Sequence, residues 1–492
     1  MQADRLGGSM SDFLAAYPDY ATTSRLDDLR AAEYSYLDQG GHTYLDYTGA
    51  GLPADTQLRA HASRVRGACF GNPHSETPAS SASTRLVEQA RAAVLGYFNA
   101  SASEYAVIFT PNATGACRLV GEAYPFRPLS RFVLTADNHN SVNGLRVFAR
   151  ARGAAVSYVR LSPADLRVAE QDVADALDRR LRPGGRGGRR RGLFAYPAQS
   201  NFSGVQHPLG WVGLAHAAGY DVLLDAAAFV PANRLDLGAV KPEFVTVSFY
   251  KMFGYPTGVG CLLARRDALV RLRRPWFSGG TIWGASVQGG WHRLLDDEGA
   301  FEDGTLNFLS IPDVITGLAW ISGIGIDLIH RRVGCLTGWL LDGLAGLKHA
   351  DGAPMVRLYG PRENHARGGT VAFNFLDPGG VVVDERSVAR DTSAAGISVR
   401  TGCFCNPGAG EWAFGLTRRD FRGVWWRGFR QRNMRTMDDY LGLIGLPSGG
   451  AVRVSLGLVS DEGDLDRFLD FAERTYRDAQ PDGSGLAPRL RC

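Results

Sequence analysis

The sequence predicts an α/β protein: a mainly parallel sheet covered by helices on both faces, then a smaller α/β domain. Three observations carry this. From about residue 40 to 270, short apolar runs alternate with amphipathic stretches, the pattern of a buried parallel sheet. A long helical pattern over 313–344 then interrupts it. Beyond that, a shorter alternation of strand-like and helix-like segments begins. The length agrees, since 492 residues are long for one domain and comfortable for two. The expected division is an N-terminal segment over 1–30, a large domain over 31–345, a small C-terminal domain over 346–478 and a disordered tail over 479–492.

In chain order, the apolar runs predict strands at 44–47, 106–110, 131–135, 156–161, 193–196, 221–225, 244–249 and 258–264. Helices fall between several of them, as at 84–98 and 171–181. The tract 179–191, Arg-Arg-Leu-Arg-Pro-Gly-Gly-Arg-Gly-Gly-Arg-Arg-Arg, reads as a solvated flexible loop between a helix and a strand, or as an arm for nucleic acid or an acidic partner. The apolar stretch 314–326 is shorter than the ~20 residues of a membrane helix and reads as a buried helix. In the small domain, strands are expected near 355–358, 370–375, 398–400 and 452–456, with helices near 384–394 and 461–475.

Composition bounds the function. A net charge of +4 over this length leaves no general nucleic-acid footprint. The N-terminus lacks a signal-type apolar core, and no membrane segment is expected. Seven scattered cysteines, at 69, 117, 261, 335, 403, 405 and 492, suggest reduced thiols in a cytoplasmic protein rather than a disulfide framework.

Lysine is scarce: Lys241, Lys251 and Lys348 are the three among 54 basic residues. Arginine replaces lysine as a surface charge but not as a nucleophilic amine. Lys251 sits in Ser248-Phe-Tyr-Lys-Met-Phe-Gly, just past a buried-strand pattern. Asp225 ends the strand Asp221-Val-Leu-Leu-Asp; it suits either a charge partner for a pyridinium nitrogen or a helix N-cap. Phe109-Thr-Pro-Asn-Ala-Thr-Gly-Ala runs from strand to helix, so Ala113 and Thr114 lie at a helix N-terminus, either an anion site or an ordinary cap. Ser248 and Tyr250 flank the lysine and can add phosphate contacts. His139, after another strand, can stack on an aromatic ring or be structural. In Thr401-Gly-Cys-Phe-Cys-Asn-Pro-Gly-Ala, two cysteines follow Arg400, and an adjacent cation favours a reactive thiolate. A metal needs a second ligand cluster, and none is visible. Arg453, within an apolar strand, needs an anion: a substrate carboxylate or a structural acid.

Together these segments resemble the class V (NifS-like) pyridoxal-phosphate enzymes, and within them the N-terminal cysteine-desulfurase domain of molybdenum cofactor sulfurases. The resemblance runs in order through Tyr44-Leu-Asp-Tyr-Thr-Gly-Ala-Gly, Asn72-Pro-His-Ser, Asp137-Asn-His-Asn-Ser-Val, Tyr196-Pro-Ala-Gln-Ser-Asn-Phe-Ser-Gly, the lysine motif, Phe301-Glu-Asp-Gly-Thr, the cysteine loop and Val452-Arg-Val-Ser-Leu-Gly. It implies pyridoxal-phosphate transferase fold type I, with a mixed seven-stranded sheet, and a homodimer with sites at the interface. It places the covalent cofactor link on Lys251, the pyridinium partner on Asp225, the stacking ring on His139 and the group near the phenolic oxygen on Asn201. Phosphate contacts fall on Ala113, Thr114, Ser248 and Tyr250, and on Thr305 from a partner subunit. The persulfide cysteine falls on Cys405, and substrate binding on Arg453, Arg400 and His74.

The implied reaction is L-cysteine to L-alanine, with the sulfur left on Cys405 for an acceptor the sequence does not name. Two departures bear on that acceptor: no second cofactor-binding domain is expected within these 492 residues, and Gly410 stands where a cysteine is frequent in the family resembled. The alternative is another class V reaction, a C–S or C–C lyase or an aminotransferase, which needs Lys251 and Asp225 but not Cys405.

Overall fold

The structure is a computed structural model; it describes residues 10–73, 75–178, 192–424, 436–446, 448–480 and 485–489. The arginine tract 179–191 and His74 lie outside the described residues.

Seven strands form the main sheet, in the spatial order Tyr105–Thr110, Gly260–Arg265, Phe244–Ser248, Tyr220–Asp225, Gly192–Pro197, Arg131–Thr135, Ala155–Val159. The last five are mutually parallel. Gly260–Arg265 runs antiparallel to both its neighbours, which makes the sheet mixed. Three central strands are buried along their whole length, as expected where helices cover both faces. Side chains alternate between two cores. Val107, Phe194, Val222 and Val247 face one, while Ile108, Leu193, Leu223 and Leu262 face the other.

The expected 313–344 helix is two helices, Asp313–Ile324 and Ile326–Gly346, bent by 69°. Gly325 sits between them with φ 98°, a conformation open to glycine. No single helix among the described residues is long and apolar enough to cross a membrane. A hairpin of Ile282–Ser286 and Trp291–Leu294 was not legible in the apolar pattern, because its residues are largely exposed.

The second sheet is antiparallel, in the order Val356–Tyr359, Thr370–Phe375, Ala451–Ser455, Arg400–Gly402. The expected strand at 44–47 is shorter, Thr43–Tyr44, and pairs with Ile397–Ser398 rather than with the main sheet. Asp46 then bridges to Ser455. The chain just before the large sheet is thereby stitched to the small one. In the tail, residues 485–489 lie against the small domain, where Arg489 meets Asp384, Glu385 and Asp438.

Candidate active site

The carboxyl ends of parallel strands are where ligands bind in open α/β sheets. Here the main-sheet strands ending at Thr135, Pro197, Asp225 and Ser248 deliver His139, Asn201, Asp225 and Lys251 to one edge. They line a cavity of about 330 Å³ together with Ala113, Thr114, Ser141, Gln199, Ser248 and Tyr250. The sequence-predicted residues therefore meet, although they span more than a hundred positions.

Lys251 lies on the short helix Phe249–Phe253. Desolvation lowers its amine below the ordinary value of 10.5, with Asp225 opposing and Arg453 assisting. A lowered amine is the more readily neutral, hence nucleophilic, one. Gly51, in the Tyr44–Gly51 motif, donates its amide to the Tyr250 carbonyl at 2.9 Å. A side chain at Gly51 would crowd the carbonyls of Tyr250 and Lys251, at 3.1 and 3.0 Å from its Cβ. That close approach explains a glycine there.

Asp225 is buried, and both its hydrogen bonds fall on Oδ1: from Ala227 N at 3.1 Å and Thr246 Oγ1 at 3.2 Å. Oδ1 holds the turn that follows; no helix begins there, so the helix-cap alternative is not realised, and the carboxylate lines the cavity. At the opposite end, the helix Ala113–Ala123 opens into the cavity, and Ala113 N donates to Ser248 Oγ at 3.0 Å. Two hydroxyls and a helix N-terminus form the donor set that a phosphate requires. An aldehyde-bearing, phosphorylated pyridine fits these residues: an amine, a carboxylate and an anion cradle share one cavity.

His139 caps the helix Asn140–Asn143, its Nδ1 accepting from Ser141 N at 3.1 Å. Ser141 Oγ lies 2.9 Å from that nitrogen and 2.7 Å from Thr114 Oγ1, linking ring and cradle. Desolvation lowers the pKa of His139, with Lys251 and Arg453 assisting against Asp225.

The two arginines converge on Asp46, which sequence reasoning missed as a site residue. Arg453, fully desolvated, donates to Asp46 Oδ1 at 2.7 Å and to the Asn201 carbonyl at 3.0 Å. Arg400, half-exposed, reaches Asp46 Oδ2 at 2.8 Å. A lone aspartate carries no spacing signal; the pairing of Thr43–Tyr44 with Ile397–Ser398 brings it there. Burial pulls the Arg453 pKa down, with Asp46 opposing.

Cys405 is an exposed free thiol; Cys69 is also free and exposed, whereas Cys117, Cys261 and Cys335 are free and buried. Cys403 is disulfide-bonded, a departure at one position from the expected reduced thiols. Sequence spacing cannot reveal which sulfurs a fold brings together. The Cys405 carbonyl accepts from Asn140 N at 2.7 Å, next to His139, and the Phe404 carbonyl from Asn201 Nδ2 at 2.8 Å. Asn201 therefore spends its amide on the cysteine loop while lining the cavity. Thr305 lines a second cavity of about 320 Å³, which shares Pro111 and Gly258 with the first, and accepts from Asn72 Nδ2 at 3.2 Å.

With this geometry in hand, the comparisons with known proteins are consistent. The family model described as Aminotransferase class-V matches residues 43–468. A molybdenum cofactor sulfurase of Solanum lycopersicum is 35% identical over 507 residues, covering 96% of this chain and 60% of its own. That of Homo sapiens is 36% identical over 470 residues, covering 91% and 51%. The chain thus spans little more than half the length of the curated relatives it matches. A cysteine desulfurase from Thermococcus onnurineus NA1, solved in its apo form, superposes with TM-score 0.73 at 21% identity, covering 92% of this chain and 98% of that one. The cysteine desulfurase CsdA of Escherichia coli gives 0.68 at 19%, covering 91% and 98%. These likenesses establish the fold, a large mixed-sheet domain with a smaller α/β partner.

Proposed function

The chain belongs to the aminotransferase class-V family, and within it we propose a pyridoxal-phosphate-dependent cysteine desulfurase of the molybdenum cofactor sulfurase type. The observation that carries this reading is the joining of two halves. Lys251, Asp225 and His139 share one cavity, and the loop bearing Cys405 is bonded to Asn140 and Asn201 beside it.

Bound pyridoxal phosphate supplies an aldehyde for an amine and a protonated ring that withdraws electrons from the substrate's Cα. Lys251, Asp225 and His139 would hold that ring, and Ala113, Thr114, Ser248 and Tyr250 its phosphate. The residues do the rest. Arg453 and Arg400, gathered by Asp46, orient the L-cysteine carboxylate, with His74 as a further substrate contact. Lys251 Nζ takes the proton from Cα. The Cys405 thiolate attacks the substrate sulfur: a new S–S bond forms as the Cβ–S bond breaks. The carbon side keeps the electron pair, takes up a proton and leaves as alanine. Cys405 is left as a persulfide for an acceptor.

Within this reading the enzyme is a cytoplasmic homodimer, with Thr305 reaching the neighbouring subunit's phosphate. The large domain over 31–345 carries the cofactor, and the small one over 346–478 carries the cysteine.

Incubating the purified protein with L-cysteine and pyridoxal phosphate tests the reading. Alanine should appear, and mass spectrometry should find 32 Da added at Cys405, about one sulfur atom by the chemistry of persulfide formation; sulfide should follow once a dithiol reductant is added to cleave the persulfide. Cys405→Ala should bind cysteine but release alanine far more slowly, whereas Cys403→Ala should keep most activity. Normal turnover by Cys405→Ala would hand the site to a lyase or aminotransferase reaction, which has no need of this thiol.

A further inference from the structure

Two successive residues of the cysteine loop, Phe404 and Cys405, both have φ 53°. L-residues rarely adopt this left-handed conformation, and a pair in sequence persists only where the surroundings impose it. Asn406 follows them and is fully buried. Its Nδ2 donates to the Asp137 carbonyl at 2.7 Å and to Asn201 Oδ1 at 2.9 Å. Its Oδ1 accepts from Ala409 N at 3.1 Å, capping the helix Pro407–Ala413.

The Asn406 amide thus touches both strand-end segments that shape the cavity. One carries His139, two residues beyond Asp137, and the other carries Asn201. Each backbone carbonyl before it is held by the same two segments, Phe404 O by Asn201 and Cys405 O by Asn140. The Phe404 ring lies under the Arg453 guanidinium, 4.8 Å from centroid to carbon, and 5.3 Å from the Phe202 ring. Behind the loop, Gly408 packs so closely that a Cβ would overlap the Ala136 carbonyl. The Cys405 side chain itself is exposed.

We propose that Asn406 is the positioning residue for sulfur transfer: it clamps the loop so that Cys405 is presented at one fixed place beside the cavity. This rests on the reading of Cys405 as the persulfide residue. Under it the loop does not swing to deliver sulfur, and the acceptor must come to Cys405 where it stands.

The alternative is that Asn406 serves only as a helix cap. Asn406→Ser and Asn406→Asp separate the two, because serine and aspartate cap Ala409 N as well as asparagine does but lose both amide donations. The clamp predicts a fall in kcat for alanine release of about 10- to 100-fold, the range for a misplaced reacting group, with KM for cysteine held. It also predicts faster alkylation of Cys405 by iodoacetamide in protein freed of cofactor, while buried Cys117 and Cys261 stay protected. The last point distinguishes a loosened loop from an unfolded chain. Wild-type kcat and alkylation in both variants would overturn the proposal. So would fast hydrogen exchange of the wild-type Asn140 amide, a measurement that needs no variant to fold. Should wild-type protein release no alanine, the desulfurase reading fails, while exchange and alkylation still decide whether the clamp exists.

Discussion

Lys251 and Asp225 place one amine and one carboxylate in the same cavity. Lys251→Ala should abolish the borohydride-trapped attachment of pyridoxal phosphate to the chain, read by peptide mass. Lys241 is already paired with Glu104 at 2.9 Å, so trapping there or at Lys348 would overturn the assignment. Asp225→Asn keeps an acceptor oxygen for Ala227 N and Thr246 but removes the anion. Turnover should fall about 10- to 1,000-fold, the scale of a lost electrostatic contact in a dry site, with cofactor occupancy nearly kept. Unchanged turnover would reduce Asp225 to a residue that holds the turn after its strand. At this scale the sequence was informative where a residue's chemistry is irreplaceable. A lysine in an arginine-rich chain signals itself. Asp46 and Asn406 did not, because their importance lies in whom they touch.

The elements explain why those contacts are reached. The main-sheet strands were legible because buried strands read as unbroken apolar runs. The reversed strand Gly260–Arg265 was legible as a strand but not as antiparallel, since direction leaves no mark on an apolar run. The break at Gly325 was missed for a related reason: apolar periodicity continues through a bend that one positive φ creates. The helix Pro407–Ala413 shows what such backbone detail does for the site. Its Gly408 lets it approach the strand end at Ala136, which draws Cys405 toward Asn140. Gly408→Ala should cost about 1–3 kcal/mol of stability through overpacking. It should also slow persulfide formation more than it weakens cofactor binding. Urea unfolding and single-turnover persulfide assays measure the two; a neutral substitution would mean the helix has room to retreat.

For the whole molecule, the two cavities pose the question of assembly. Thr305 stands in a motif that resembles a phosphate contact, yet it lines the second cavity and not the one holding Lys251. The two cavities meet at Pro111 and Gly258, beside the cradle formed by Ala113 and Thr114. A contact made across a two-fold axis reconciles motif and position: each subunit would offer Thr305 to the other's phosphate. Sequence could suggest this only by resemblance, because a single chain's periodicity contains no symmetry axis. Mixing two defective proteins tests it. Lys251→Ala lacks the amine, and Thr305→Glu sets a carboxylate against the phosphate. If sites are shared, a mixed dimer has one site with both defects and one with neither. Subunit exchange should then restore about a quarter of wild-type activity, since about half the dimers are mixed and each has one intact site of two. If Thr305 serves its own chain, each site in the mixed dimer keeps one defect and nothing is restored. That result would confine Thr305 to its own cavity and leave the phosphate to Ala113, Thr114, Ser248 and Tyr250 of one subunit.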